Sequence, residues 1–254
     1  MILVKRTLPA VVGVLTFLGL FAIASWQTNV WLWFAAVLVI AILGLGSLCG
    51  WGADLERWGL IAVTPALFIS SGFAFMLFVE PQWLLVVIAF VVSIFVGLFL
   101  EHVFRFVHVP GIYQPYALEH TSIVLHIVSI YFFSTMFYGL HTFLLTPVWI
   151  IASIFFVLSA LFVYETLWVS KVASTTASHI ALLGALVLTQ LFVATAFLPT
   201  SFFVNAAIVA VGFYVFLGVI RASLLQRLSG IALRRYTLAG GIFLIVILLS
   251  AKWI

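Results

Sequence analysis

The residues best suited to chemistry are concentrated in one short stretch, residues 101–126. It holds four of the six histidines in the chain and two of its six acidic residues. Imidazole and carboxylate groups serve as acid–base groups in enzymes and as ligands for zinc, iron or manganese. The candidate metal ligands are Glu101, His102, His108, Glu119, His120 and His126. The candidate catalytic residues are Glu101, Arg105, His108, Glu119 and His126.

The spacing of these residues predicts two polar helical faces. Glu101, Arg105 and His108 stand at i, i+4 and i+7, whereas Glu119 and His126 stand at i and i+7 with a serine between them. Prolines and a glycine separate the two halves and interrupt the helix. The two faces could therefore lie opposite one another at a membrane surface. The stretch contains no His-Glu-x-x-His or Glu-x-x-His, so spacing alone does not select a metal.

The elements around this stretch are apolar. The chain has 254 residues, of which 67% are hydrophobic and 6% charged, whereas a soluble domain carries about 25% charged residues. Apolar runs of about 18 residues or more recur, and each can cross a bilayer as a helix. The sequence predicts an all-α polytopic membrane protein, a single integral membrane domain with about nine transmembrane helices. The predicted spans are about 8–25, 30–49, 60–79, 82–100, 121–144, 147–164, 179–197, 202–220 and 237–253.

The basic residues predict the orientation. With a cytoplasmic N-terminus, nine of the ten Lys and Arg residues fall on the cytoplasmic side and only Lys252 falls outside, as the positive-inside rule requires. Residues 101–120 then form a cytoplasmic polar loop, with Glu165 and His179 in neighbouring loops. We expect the protein in a bacterial or archaeal cytoplasmic membrane.

A second basic segment, residues 221–236, predicts a helix that lies on the cytoplasmic leaflet. Leucines occupy one face and arginines the other. Each arginine near the surface would attract anionic lipid by about 1 kcal/mol. The predicted head-group ligands are Arg221, Arg227, Arg234 and Arg235. Because the positive charge lies in short loops, we expect lipid as the partner and no nucleic acid.

Two interpretations of function stay open. No predicted span has a charged residue near its middle, which argues against a carrier with a midplane carboxylate and excludes a retinal protein. The leading interpretation is a non-enzymatic component without a cofactor, which translocates a lipid or small molecule or docks a protein partner on its cytoplasmic face. The alternative is a membrane enzyme, using a divalent metal or acid–base groups of residues 101–126 on a lipid-type substrate. Enzymatic use requires Glu101, His108, Glu119 and His126 to converge in one cavity.

Overall fold

The computed structural model describes residues 2–26, 29–50, 55–111, 113–114, 116–224 and 230–251. Within these ranges the chain forms nine helices and no strand. The helices are α1 (Ile2–Trp26), α2 (Val30–Cys49), α3 (Leu55–Met76), α4 (Gln82–His108), α5 (Ala117–Leu144), α6 (Val148–Val169), α7 (Ser174–Ala196), α8 (Phe202–Leu224) and α9 (Gly230–Ser250).

Eight of these helices are long and apolar enough to cross a bilayer, and α3 has a shorter apolar stretch, Leu60–Met76. The hydrocarbon core of a bilayer offers no hydrogen-bond partners, and a helix pairs its backbone N–H and C=O groups internally. The chain is a polytopic helical membrane protein. The predicted fold class is confirmed.

Several helices extend beyond the predicted spans. α4 continues through the polar residues to His108, and α5 begins at Ala117. Residues 101–108 and 117–120, which were expected in a loop, are therefore helical. α6 runs to Val169 and includes Glu165, which was expected in a loop. Hydropathy marks where a helix leaves the hydrocarbon, but backbone hydrogen bonding continues past that point.

The basic segment 221–236 is divided between two helices in the described part of the chain. Residues 221–224 end α8, and residues 230–236 begin α9. Residues 225–229, which include Arg227, lie outside the described residues, as does Lys252. The interfacial helix remains a prediction.

The chain groups into two compact units, Met1–Ser129 and Ile130–Ile254. The single integral membrane domain stays a prediction. The first unit contains α1–α4 and residues 117–129 of α5. The second contains residues 130–144 of α5 and α6–α9. In the first unit α1 packs on α4 and α2, and in the second α6 packs on α7 and α8 on α9.

Glycine packing joins α1 and α4 in the first unit. A Cβ atom placed on Gly13 would lie 3.4 Å from the Ser93 carbonyl oxygen and 3.5 Å from the Gly97 Cα. A Cβ on Gly97 would lie 3.6 Å from the Pro9 carbonyl oxygen. Such close backbone approach is how helices associate in lipid, where the hydrophobic effect does not drive helix against helix. We call this contact the glycine seam.

Aromatic rings fill the interior of the second unit. The Phe192 ring stacks on Tyr138 at a centroid distance of 4.4 Å and on Phe155 at 4.5 Å. The Tyr138 hydroxyl donates to the Phe192 carbonyl oxygen at 2.8 Å and lies 2.6 Å from the Thr195 Oγ1. Phe137 meets Phe192 edge-on at 6.3 Å. We call this group the ring cluster.

Candidate functional site

The polar face predicted for α4 contains an ion pair. Arg105 Nε donates to Glu101 Oε1 at 2.8 Å, with 47% of the Arg105 side chain and 31% of the Glu101 side chain exposed. The i, i+4 spacing places both on one side of α4. An exposed pair of this kind contributes little to stability.

His108, one helical turn beyond Arg105 on the same face, contacts α1. Its Nε2 lies 3.3 Å from the Lys5 Nζ, and its ring stacks on Phe104 at 5.1 Å. A lysine ammonium group only donates, so the imidazole Nε2 accepts and His108 is neutral in this arrangement. The contact ties the start of α1 to the end of α4. Sequence reasoning missed Lys5 as a partner because 103 positions separate the two residues.

A groove runs beside the glycine seam on the surface formed by α1 and α4. Its volume is about 510 Å³ and its lining is almost wholly apolar. Phe17 and Phe90, whose rings meet edge-on at 6.0 Å, line one end, and Glu101 lines the other. Gly13 and Gly97 form the floor, where the absence of side chains leaves room. We call this the α1/α4 groove.

The polar face predicted on α5 points into the protein. Glu119 is 9% exposed, Ser122 is buried and His126 is 0% exposed. Ser122 donates to the Leu118 carbonyl oxygen at 2.9 Å. In the described part of the chain Glu119 Oε2 has no hydrogen-bond partner. A carboxylate near the first turn of a helix is favoured by the helix dipole, which offsets part of the cost of its burial.

Tyr113 anchors the loop that leads into α5. Its hydroxyl oxygen accepts a hydrogen bond from the Leu118 N–H at 3.1 Å, and its ring meets Phe106 at 5.3 Å. Burial raises the pKa of Tyr113, the Leu118 N–H lowers it, and the nearby Glu119 carboxylate raises it further. The phenol therefore stays neutral at physiological pH, which suits a structural role.

His102 and His120 line a second and smaller pocket together with Thr121. The pocket has a volume of about 190 Å³ and an apolar floor. Within the described ranges, no group of three or more His, Cys, Asp or Glu residues is arranged to hold a metal ion.

The six candidate ligands are thus distributed over four places: the groove end, the Lys5 contact, the small pocket and the buried face of α5. Glu101 is at the groove end and His108 is at the Lys5 contact. His102 and His120 line the small pocket, and Glu119 and His126 are on the buried face of α5. Of the two pockets described above, one is lined by Glu101 alone among the six and the other by His102 and His120.

The predicted head-group ligands differ in exposure. Arg234 and Arg235 are exposed at the start of α9. Arg221 is half-buried at the end of α8, and its buried Nε has no hydrogen-bond partner among the described residues. The side chain of Arg227 lies outside that part of the chain.

One carboxyl group that was expected in a loop is buried. Glu165 is wholly buried in α6, next to the buried Thr166. The polar residues Ser159 and Thr166 at helical spacing mark an inward polar face, and that periodicity was the available signal. His179, expected in a loop, lies exposed in the first turns of α7.

No protein-family model matches the chain, and neither the characterised proteins nor the solved structures include one with significant similarity. The function must therefore be argued from the geometry of the chain itself.

Proposed function

We propose that the protein is a non-enzymatic membrane component that binds a lipid-type amphiphile in the α1/α4 groove. The observation that carries this proposal is the groove itself: an apolar trough of about 510 Å³ with a charged group at one end. That volume falls within the range of small-molecule binding sites. Lipid translocation and the docking of a partner through bound lipid would both begin with this bound state.

The length of the groove fits one leaflet of a bilayer. Phe90 and Glu101 are eleven residues apart on α4, which corresponds to about 16 Å at the helical rise. The hydrocarbon core of a bilayer is about 30 Å thick, so the groove spans about half of it. An acyl chain laid against Gly13 and Gly97 would reach the Phe17–Phe90 ring pair near the bilayer centre.

The charged end of the groove fits a polar head group. Glu101 lines the groove, and Arg105 follows one helical turn later, where α4 leaves its most apolar stretch. The positive-inside argument would place this end in the cytoplasmic leaflet. A lipid from that leaflet could enter sideways, because the groove is open along its length.

The same geometry disfavours the enzyme interpretation. Acid–base or metal-assisted chemistry needs its groups within hydrogen-bond or ligand reach of one reacting atom. Glu101 is engaged by Arg105, His108 by Lys5, and Glu119 lies buried on α5. A groove with one charged end binds an amphiphile without needing such convergence.

Filling the groove tests the proposal. Ala10 lines the groove and is exposed, so Ala10→Trp would occupy the groove without entering the protein interior. Ala35→Trp, at an exposed position on α2, is the matched control. Each protein would be reconstituted with dioleoyl phosphatidylglycerol and dioleoyl phosphatidylcholine in equal amounts, extracted into detergent and examined by native mass spectrometry.

We expect the native chain and Ala35→Trp to retain one phospholipid and Ala10→Trp to lose most of it, with all three melting at similar temperatures. Retention by Ala10→Trp at the native level would refute the groove as the binding site. The absence of any retained lipid from the native chain would refute the proposed function.

A further inference from the structure

We infer that the α1/α4 groove selects a phospholipid whose head group carries net negative charge, through Arg105 and Lys5. This inference rests on the proposed function and names the class of lipid bound.

Arg105 has donors left for a phosphate. Only its Nε is engaged in the described part of the chain, by Glu101. The guanidinium group carries five N–H donors in a planar fork that matches the oxygens of a phosphate. Glu101 fixes the orientation of that fork. A phosphate at the groove end would meet the terminal nitrogens of a guanidinium group already held in place.

Lys5 brings a second cation to the end of α4 that carries Arg105. Its ammonium group contacts His108, which follows Arg105 by three positions on α4. Residues at i and i+3 of a helix have Cβ atoms about 5–6 Å apart. Lys5 therefore contacts the residue one helical turn beyond Arg105, and His108 holds it there as a neutral acceptor rather than as a competing anion.

The charge balance at the groove end favours an anion. Lys5 and Arg105 supply two positive charges, and Glu101 supplies one negative charge, which leaves a net charge of +1. A zwitterionic head group offers the same phosphate but carries an ammonium group that these cations repel. An anionic head group carries no such group, so the preference should be electrostatic.

The experiment is a competition between two head groups on identical acyl chains. The native chain, reconstituted with equal dioleoyl phosphatidylglycerol and dioleoyl phosphatidylcholine, should retain phosphatidylglycerol preferentially in native mass spectra. Each cation near a membrane surface strengthens the binding of anionic lipid by a factor on the order of fivefold. We therefore expect Arg105→Gln and Lys5→Gln each to reduce the preference by about that factor.

Two controls separate a specific site from general basic charge. Lys171→Gln removes an exposed lysine from the turn before α7 and should leave the preference unchanged. Lys5→Arg keeps the cation and should restore the preference that Lys5→Gln loses. Melting temperatures report whether each variant is folded.

The outcomes are distinguishable. Equal retention of both lipids by the native chain, or an unchanged preference in Arg105→Gln, would overturn the head-group selection and leave the groove intact. Equal losses of preference in Arg105→Gln and Lys171→Gln would assign the preference to overall charge and also overturn it. Retention of neither lipid would overturn the proposed function instead.

Discussion

The glycine seam of the first unit and the ring cluster of the second both hold apolar helices together, but they leave different amounts of space beside the contact. At the seam, the Cβ position of Gly13 lies 3.5 Å from the Gly97 Cα, so the two backbones almost touch. In the ring cluster, side chains separate the helices, and Phe192 stacks between Tyr138 and Phe155.

The difference follows from what each residue type contributes. Helices in lipid gain stability from dispersion contacts and hydrogen bonds, since lipid is as apolar as the helix surface. Glycines obtain those contacts from the backbone and leave the flanking surface empty, which creates the α1/α4 groove. Large aromatic rings make dispersion contacts with their own atoms and fill the space between the helices. The first arrangement leaves a place for a ligand, whereas the second excludes one.

The largest predicted effect lies in the ring cluster. Phe192→Ala removes a ring that is 1% exposed and touches three others. We expect the free energy of unfolding to fall by about 3–5 kcal/mol, because the cavity lies among rigid rings. Steric trapping or denaturant titration in detergent measures this change. Phe197→Ala, at a position 75% exposed, should cost less than about 0.5 kcal/mol. Equal costs for the two variants would mean that the ring cluster is not a packed core.

An intermediate effect is expected at the glycine seam. Gly97→Leu forces a side chain against the α1 backbone and should cost about 1–3 kcal/mol of unfolding free energy. Gly97→Ala should cost less, since its Cβ would meet only ordinary contacts at 3.6 and 3.8 Å. Gly241→Leu on α9, where nothing lies within 4 Å, is the matched control. If the glycine seam stabilises the protein, Gly97→Leu should lower the free energy of unfolding more than Gly241→Leu does in the same assay. Equal losses would contradict that role.

The smallest effect is expected at the Tyr138 hydroxyl group of the ring cluster. Tyr138→Phe deletes the hydrogen bonds to the Phe192 carbonyl oxygen and to Thr195, which still bonds its own helix. Hydrogen bonds between membrane helices average about 0.6 kcal/mol, so we expect a loss of that size. Tyr214→Phe is the control, because the Tyr214 hydroxyl makes no hydrogen bond within the described ranges. Indistinguishable unfolding curves would assign the stability of the cluster to ring packing alone.

The membrane class, the number of helices and the spacing of the polar residues could be predicted from the sequence, because hydropathy and helical periodicity are local properties of a chain. The same spacing placed Glu101 and Arg105 on one face of α4, where the two side chains form an ion pair. It could not reveal how far each helix continues, so Glu165 was assigned to a loop rather than to the interior of α6.

Only the tertiary structure decided which polar groups meet. Lys5 and His108 are 103 positions apart, and their contact exists because glycines bring α1 and α4 together along the seam. The α1/α4 groove has the same origin. The candidate ligands of residues 101–126 are close in sequence, yet α4 carries His108 to α1 while α5 turns Glu119 and His126 inward. Short-range spacing determines which face of a helix a residue occupies, and only packing between helices determines what that face meets.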